Sequence, residues 1–223
     1  HGSEGQMPFF MSNLRVQKGV GITTSTVPTL PLENTSSTGL LCLQSTTIID
    51  NSASQHTITA NGTEPDAITN AFNPYRSDND LLARPDRYFS TDFVGTNGNN
   101  LAVTPTSAIV LDGALTVEFW FKADTIVADG ESPVILSFPT NGTHQIYFQI
   151  NVTNKYLTLI SGVDVGKTSN DVITTGKWYH VALGRDGSNN VSLWLNGTRV
   201  STKSGNWTGY SAGARNTFIK FII

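Results

Sequence analysis

The sequence predicts an all-β protein of antiparallel strands, arranged as a sandwich or a barrel. The first observation is alternation. Leu115–Lys122 (LTVEFWFK), Lys177–Arg185 (KWYHVALGR) and Val191–Asn196 (VSLWLN) place β-branched, aromatic and aliphatic side chains at every second position. The second is spacing, with candidate strands recurring at roughly 8–12 residues between Gly, Asn and Asp turn signals. The third is that no segment keeps a helical period long enough for a helix. Composition agrees: only 14% of residues are charged, and Gly, Ser, Thr and Asn fill the gaps, as polar turns between many strands require.

Taken in order, residues 1–7 are polar and glycine-rich and read as a flexible arm. Pro8–Lys18 (PFFMSNLRVQK) has strand character. In it, Phe10, Ser12, Leu14 and Val16 share one face and Phe9, Met11, Asn13 and Arg15 the other, with Leu14 and Val16 expected inward and Arg15 outward. Gly21–Thr38 holds two prolines and many Thr and Ser without periodicity, the mark of an extended connector. Leu40–Asp50 is read as an opening strand pair with a turn at Asp50-Asn51-Ser52. His56–Ala60 is a further strand, and Asn61-Gly62 a turn.

Pro65–Pro85 is irregular, with a charged patch at Arg76–Asp80 and room for one short helical turn. Arg87–Val103 is read as a hairpin turned at Gly95–Gly98. Pro133–Phe138, His144–Val152 and Tyr156–Ser161 are three more strands. The two stretches 177–185 and 191–196 are expected to form an antiparallel hairpin around Asp186–Asn189. Their inward faces, with that of 115–122, place Phe119, Val181 and Leu193 in the core. Thr217–Ile223 (TFIKFII) is too apolar to lie alone in water.

Charge and cysteine content exclude several function classes. A net charge of −3 and a pI near 5.7 argue against nucleic acid as the main partner. No apolar run reaches the ~18 residues of a membrane span, and no signal peptide is visible. The chain opens at His1 rather than Met, which points to a start that is cleaved or lost. The single cysteine, Cys42, permits no intrachain disulfide and is expected as a small buried apolar residue. One Cys and four scattered His leave zinc and thiol catalysis without a basis.

LTVEFWFK, KWYHVALGRDG and VSLWLNGTRV, in this combination and order, resemble the laminin-G-like, concanavalin-A-like sandwich in its bacterial and phage form, over roughly residues 90–200. The resemblance implies two curved antiparallel sheets in a jelly roll, with a binding or structural role more often than an enzymatic one. Phe9–Gly19 (FFMSNLRVQKG) is similar to the strand that closes such sandwiches, yet it stands at the beginning. LLCLQSTTIIDNSASQHTITANG is similar to how repeated phage sandwiches begin. The expected organisation is therefore an arm with a closing-type strand and connector at residues 1–39, followed by the sandwich at residues 40–223.

An open sheet edge is a liability, so the Phe9–Val16 segment should fill one. It can fold back on its own sandwich or be exchanged with a neighbouring subunit. The connector's reach, on the order of 65 Å when extended, allows both. The expectation leans to the neighbour, because residues 1–7 have the look of a free arm and shells gain from interlocked subunits.

Glucanase-like sandwiches need two carboxylates facing each other across a cleft. Here the central strand holds only Glu118, and the E-x-D-x-x-E pattern of the glycosidase branch is absent. Glu118 is expected to pair with Lys122 or with a neighbouring strand. No cofactor is expected; calcium, which some relatives hold at the sandwich rim, would draw on Asp112, Asp124, Asp129 and Asp164, whose spacing fits no calcium loop. Trp120, His180 and Trp194 lie opposite the core positions and are the candidate carbohydrate-binding residues, as flat rings that stack on sugars. The alternative is that a loop, another chain or the terminal segment covers them. Trp207 and Tyr210 form a second aromatic pair. Sequons at Asn34, Asn61, Asn141, Asn151, Asn190, Asn196 and Asn206 follow from a composition rich in Asn, Ser and Thr.

The function expected is a non-enzymatic virion structural protein, a capsid decoration or tail-associated subunit, with other virion subunits or copies of itself and surface glycans as partners. The alternative is a secreted or cell-surface bacterial sugar-binding module cut from tandem repeats, and a glucanase-like hydrolase stands third.

Overall fold

The structure, a computed structural model, describes residues 7–61, 66–69, 89–93, 100–104, 106, 113–126, 133–138, 146–161, 163–203 and 219–222. Along the chain run β1 (Phe9–Lys18), β2 (Thr38–Cys42), β3 (Thr57–Asn61), β4 (Asp66–Thr69), β5 (Phe89–Phe93), β6 (Asn100–Thr104), β7 (Leu115–Ala123) and β8 (Val134–Phe138). They are followed by β9 (Ile146–Asn151), β10 (Tyr156–Ser161), β11 (Val163–Lys167), β12 (Trp178–Arg185), β13 (Val191–Leu195), β14 (Thr198–Lys203) and β15 (Ile219–Ile222). Every regular element among the described residues is a strand. The described pairings are all antiparallel.

The strands form two sheets. The first has the order β14-β13-β12-β7-β1-β5-β4, with β2 also paired to β1. The second has the order β11-β10-β9-β8-β15-β6-β3. Their inner faces make one apolar core, which includes Phe119, Val181 and Leu193 as the alternation predicts. Phe119 of the first sheet meets Phe148 of the second edge-on at 5.1 Å, and Phe9 stacks on Phe93 at 4.7 Å. Burying each such side chain stabilises the fold by about 1.5–3 kcal/mol.

The Phe9–Val16 segment belongs to its own sandwich, which corrects the expectation of exchange with a neighbour. As β1 it pairs with β7 on one side, and with β2 and β5 on the other. The segment expected as a closing-type strand is thus an interior strand of the chain's own sheet. Its side chains explain why. Phe9, Met11, Leu14 and Val16 are all buried in the core, far too much apolar surface for a free arm in water.

These four residues break simple alternation, and a bulge accounts for it. Ser12 opposes Trp120 while Arg15 opposes Glu118, so β1 holds one residue more than β7 between these pairs. Asn13 takes a left-handed φ of 52° there. Leu14 and Val16 point inward and Arg15 outward, as predicted, but Phe10 and Ser12 fall on the opposite face from them. Asn13 is buried and locks the bulge. Its Oδ1 accepts from the Leu32 amide at 3.1 Å and from Gln44 Nε2 at 2.8 Å, and its own amide donates to the Leu43 carbonyl at 2.9 Å.

Two other expectations are corrected. Leu40–Asp50 is one strand and a loop, not a strand pair. Leu43 turns into the left-handed region at φ 62°, and the buried Asp50 carboxylate organises the loop on either side of it. It accepts from the amides of Leu41, Ser52 and His56 and from Ser52 Oγ, at 2.8–3.0 Å. Arg87–Val103 is not a hairpin either, because β5 lies in the first sheet and β6 in the second.

Cys42 is fully buried as expected, and burial first, then the Asp50 charge, push its thiol well above the usual range. The apolar tail enters the second sheet as β15, between β6 and β8. Within Pro65–Pro85 only β4 is described. Arg76–Asp80, Gly95–Gly98, Trp207 and Tyr210, and the sequons at Asn141 and Asn206, lie outside the described residues.

Candidate functional site

Antiparallel register fixes which side chains share the outer face of the first sheet, the one turned from the core. Gln17, Thr116, Gly184 and Ser192 form one row across β1, β7, β12 and β13. Arg15, Glu118, Ala182 and Trp194 form the next, then Ser12, Trp120 and His180, and last Phe10, Lys122 and Trp178. The three candidate residues are therefore brought onto one surface, as the sequence predicts.

That surface is closed. Trp120 is 5% exposed, Trp194 2% and His180 0%. Residues 19–37, the connector, run over it. The Gly19 amide donates to the Ala114 carbonyl, Thr116 Oγ1 donates to the Val20 carbonyl at 2.8 Å, and the Ile22 amide donates to Thr116 Oγ1 at 3.3 Å. A Cβ on Gly184 would stand 2.4 Å from the Ile22 carbonyl oxygen and 3.0 Å from the Trp194 ring. Only a glycine lets this strap lie on β12 beside Trp194. The strap passes the β13–β14 turn, where Ser25 and Val27 approach Gly197, and returns over Arg15 and Asn13. Trp120, His180 and Trp194 are thus no open stacking platform, because the chain's own backbone and neighbouring side chains shut them from solvent.

Beneath the strap lies a charged cluster. Arg15 Nε donates to Glu118 Oε1 at 2.9 Å, its Nη2 makes a second contact to the same oxygen, and its Nη1 donates to the Glu33 carbonyl at 3.1 Å. His180 Nε2 stands 3.6 Å from Glu118 Oε2, beyond direct hydrogen-bond range. Burial raises the Glu118 carboxyl, but the His180 ring and the Arg15 guanidinium together outweigh it, and its pKa is lowered. Glu118 so takes its partner from the neighbouring strand; Lys122, the other expected partner, instead has its Nζ 4.1 Å from the centroid of the Phe10 ring.

Among the described residues the arrangement holds one carboxylate, and holds it fixed. On the outer-face positions of β1, β7 and β12 no second acid faces Glu118. No group of three or more His, Cys, Asp and Glu suited to a metal occurs among the described residues. Of the four aspartates considered for calcium, Asp124 is exposed, and the side chains of Asp112, Asp129 and Asp164 lie outside the described residues.

The architecture is shared with known proteins. A family described as the concanavalin A-like lectin/glucanases superfamily matches residues 95–220. No curated protein matches the chain. Solved structures share the fold at low identity. A structure of botulinum neurotoxin type C, whose cell entry depends on interaction with two ganglioside molecules, is 17% identical at a TM-score of 0.53, covering 86% of this chain. The botulinum neurotoxin serotype D binding domain is 11% identical at 0.55, covering 80%. The binding domain of botulinum neurotoxin DC in complex with SialylT is 15% identical at 0.53, covering 79%. This chain spans 42%, 42% and 41% of those three chains.

Proposed function

The chain belongs to the concanavalin A-like lectin/glucanases superfamily, and from that membership we propose that it is a carbohydrate-binding module without hydrolytic activity. The observation behind the non-catalytic half is the state of Glu118. A glycosidase needs an acid and a nucleophile or base on either side of the scissile bond, with access for the sugar. Among the described residues Glu118 has no facing carboxylate on the outer-face positions of β1, β7 and β12, and it is buried and paired with Arg15, which also holds the Glu33 carbonyl of the strap. A carboxyl of lowered pKa is also the wrong general acid near neutral pH. The carbohydrate half draws support from the superfamily, which includes lectins, and from botulinum neurotoxin structures of the same fold, one tied to gangliosides and one in complex with SialylT.

A place on a virus particle, as capsid decoration or tail-associated subunit, is the finer part of the proposal. It is supported by the phrases at residues 9–19 and 40–62 alone, and immunogold labelling of particles with an antibody to this chain tests it.

The main test pairs two assays on the full chain. Reducing-sugar release from β-1,3- and β-1,4-glucans should stay at the level of buffer, while affinity electrophoresis through gels carrying glycans should retard the protein. Glucan turnover that disappears in Glu118→Gln would overturn the non-catalytic half, and unchanged mobility in every gel would overturn the carbohydrate half.

A further inference from the structure

Each end of an open sheet exposes a row of backbone amides and carbonyls. Among the described strands the ends are β14 and β4 in the first sheet, and β11 and β3 in the second. Three of these ends carry charge: Arg199 and Lys203 on β14, Asp66 on β4, Asp164 and Lys167 on β11. β14 and β11 also lie against each other, so closely that a Cβ on Gly166 would stand 2.5 Å from Ser201 Oγ. β2, paired to β1 on one side, is covered on the other by its own loop. There the Leu41 amide donates to Asp50 Oδ1 and the Asn51 amide to the Leu41 carbonyl.

β3 has none of these devices. Its residues, Thr57-Ile58-Thr59-Ala60-Asn61, include no charge and no proline, and no bulge interrupts its register with β6. Thr57, Thr59, Ala60 and Asn61 are exposed, and Ile58 is half-buried against the core. Among the described residues, Thr57–Ala60 make no hydrogen bond beyond those to β6. Antiparallel geometry turns the amide and carbonyl of every second residue away from β6.

We propose that this edge is the docking surface for a second copy of the chain, with β3 pairing antiparallel to itself across a twofold axis at Thr59. The strand's own pattern selects that occupant. Polar and apolar residues alternate symmetrically about Thr59, so the twofold sets like against like. Thr57 meets Asn61 of the partner subunit, Thr59 meets Thr59 of the partner subunit, and Ile58 meets Ala60 of the partner subunit. The hydroxyls and amides lie on the outer face, where cross-strand pairs of this kind stabilise a seam. Ile58 and Ala60 lie on the inner face, opposite the buried Val103 and Leu101, and leave water on pairing. A charge at the axis would meet its own copy, and β3 has none. A contact of one short strand per copy is smaller than a permanent interface, so the dimer forms at about tens of micromolar rather than nanomolar.

The test is sedimentation velocity of the full chain from about 1 to about 300 µM. The wild type should pass from monomer to dimer within that range. Thr59→Lys and Thr59→Asp each set like charges face to face at the axis and should weaken dimerisation at least about tenfold, while an equimolar mixture of the two should dimerise. Leu30→Ser removes the exposed apolar side chain of the strap, at 66% exposure, and should dimerise as the wild type does. Unfolding midpoints show that each variant is folded. A wild type that stays monomeric throughout overturns the proposal. So does a folded Thr59→Lys that dimerises as well as the wild type, because the contact then lies elsewhere. A mixture no better at dimerising than either variant alone overturns the twofold at Thr59.

Discussion

Arg15 and Glu118 oppose each other across β1 and β7, joined at 2.9 Å through the guanidinium Nε, and the same Arg15 holds the strap by the Glu33 carbonyl. One arginine thus ties sheet, carboxylate and strap together. Both side chains are largely buried, at 16% and 10% exposure. Arg15→Ala leaves the carboxylate without its cation and should destabilise the protein by about 3 kcal/mol. Urea denaturation at neutral pH measures it, and an unchanged midpoint would show the pair to be dispensable.

The same carboxylate sets a pH dependence. Its pKa is lower in the folded chain than in the unfolded one. Between those two values the unfolded state binds more protons, so stability rises with pH there. The Glu118 contribution is present in full above the unfolded carboxyl value, about 4.3, and is lost as pH falls through the folded one. Glu118→Gln should therefore show a shallower loss of stability than the wild type from neutral pH to acid. Parallel slopes would refute this.

In the core, Phe119→Ala removes a ring that is 0% exposed and edge-on to Phe148. The loss should be about 3–5 kcal/mol. A variant that melts with the wild type would mean the two sheets do not meet at this residue.

At the bulge, Asn13→Ala should be more harmful than Asn13→Gly. Both leave the Leu32 amide without its acceptor and Gln44 Nε2 with the Leu32 carbonyl alone, at about 1–3 kcal/mol. Alanine adds a left-handed backbone cost of about 1–3 kcal/mol that glycine avoids. Equal stability of the two would remove the backbone component.

On the strap, Gly184→Val puts side-chain atoms where the Ile22 carbonyl lies. The strap should lift, and thermolysin should then cut before Ile22 at a dose that leaves the wild type whole. Tryptophan emission should shift to longer wavelength as Trp194 meets water. Identical digestion patterns would show that the strap seats itself without the glycine.

Much of the sandwich was legible because alternation and turn chemistry are local. The hairpin expected around Asp186–Asn189 forms between β12 and β13, with the Asn189 amide donating to the Asp186 carbonyl at 3.1 Å. The features that stayed hidden are non-local. Period two reports that Trp120 and Trp194 point away from the core, and is silent on the segment above them. The strap that runs beside Trp194 has no periodicity of its own. Its one cue was the glycine at 184 within a strand, a sign of close backbone approach. The bulge was equally invisible, since Asn13 stands in a run that alternates well enough without it. The split of β5 and β6 between sheets needs partners far along the chain, which no hairpin pattern reveals.

The position of β1 has a kinetic consequence. It lies between β7 and the pair β2 and β5, and its contacts with β7 join residues on the order of 100 positions apart. On the ribosome Phe9–Lys18 emerges well before Leu115–Ala123 exists, so only β2 can pair with it early and its other edge must wait for β7. The second sheet waits longer still, because β15 fills the gap between β6 and β8. Neither layer has a complete local nucleus, and the chain should fold slowly and late, as one cooperative event. Chaperone dependence during synthesis would then track the exposure time of this single early strand.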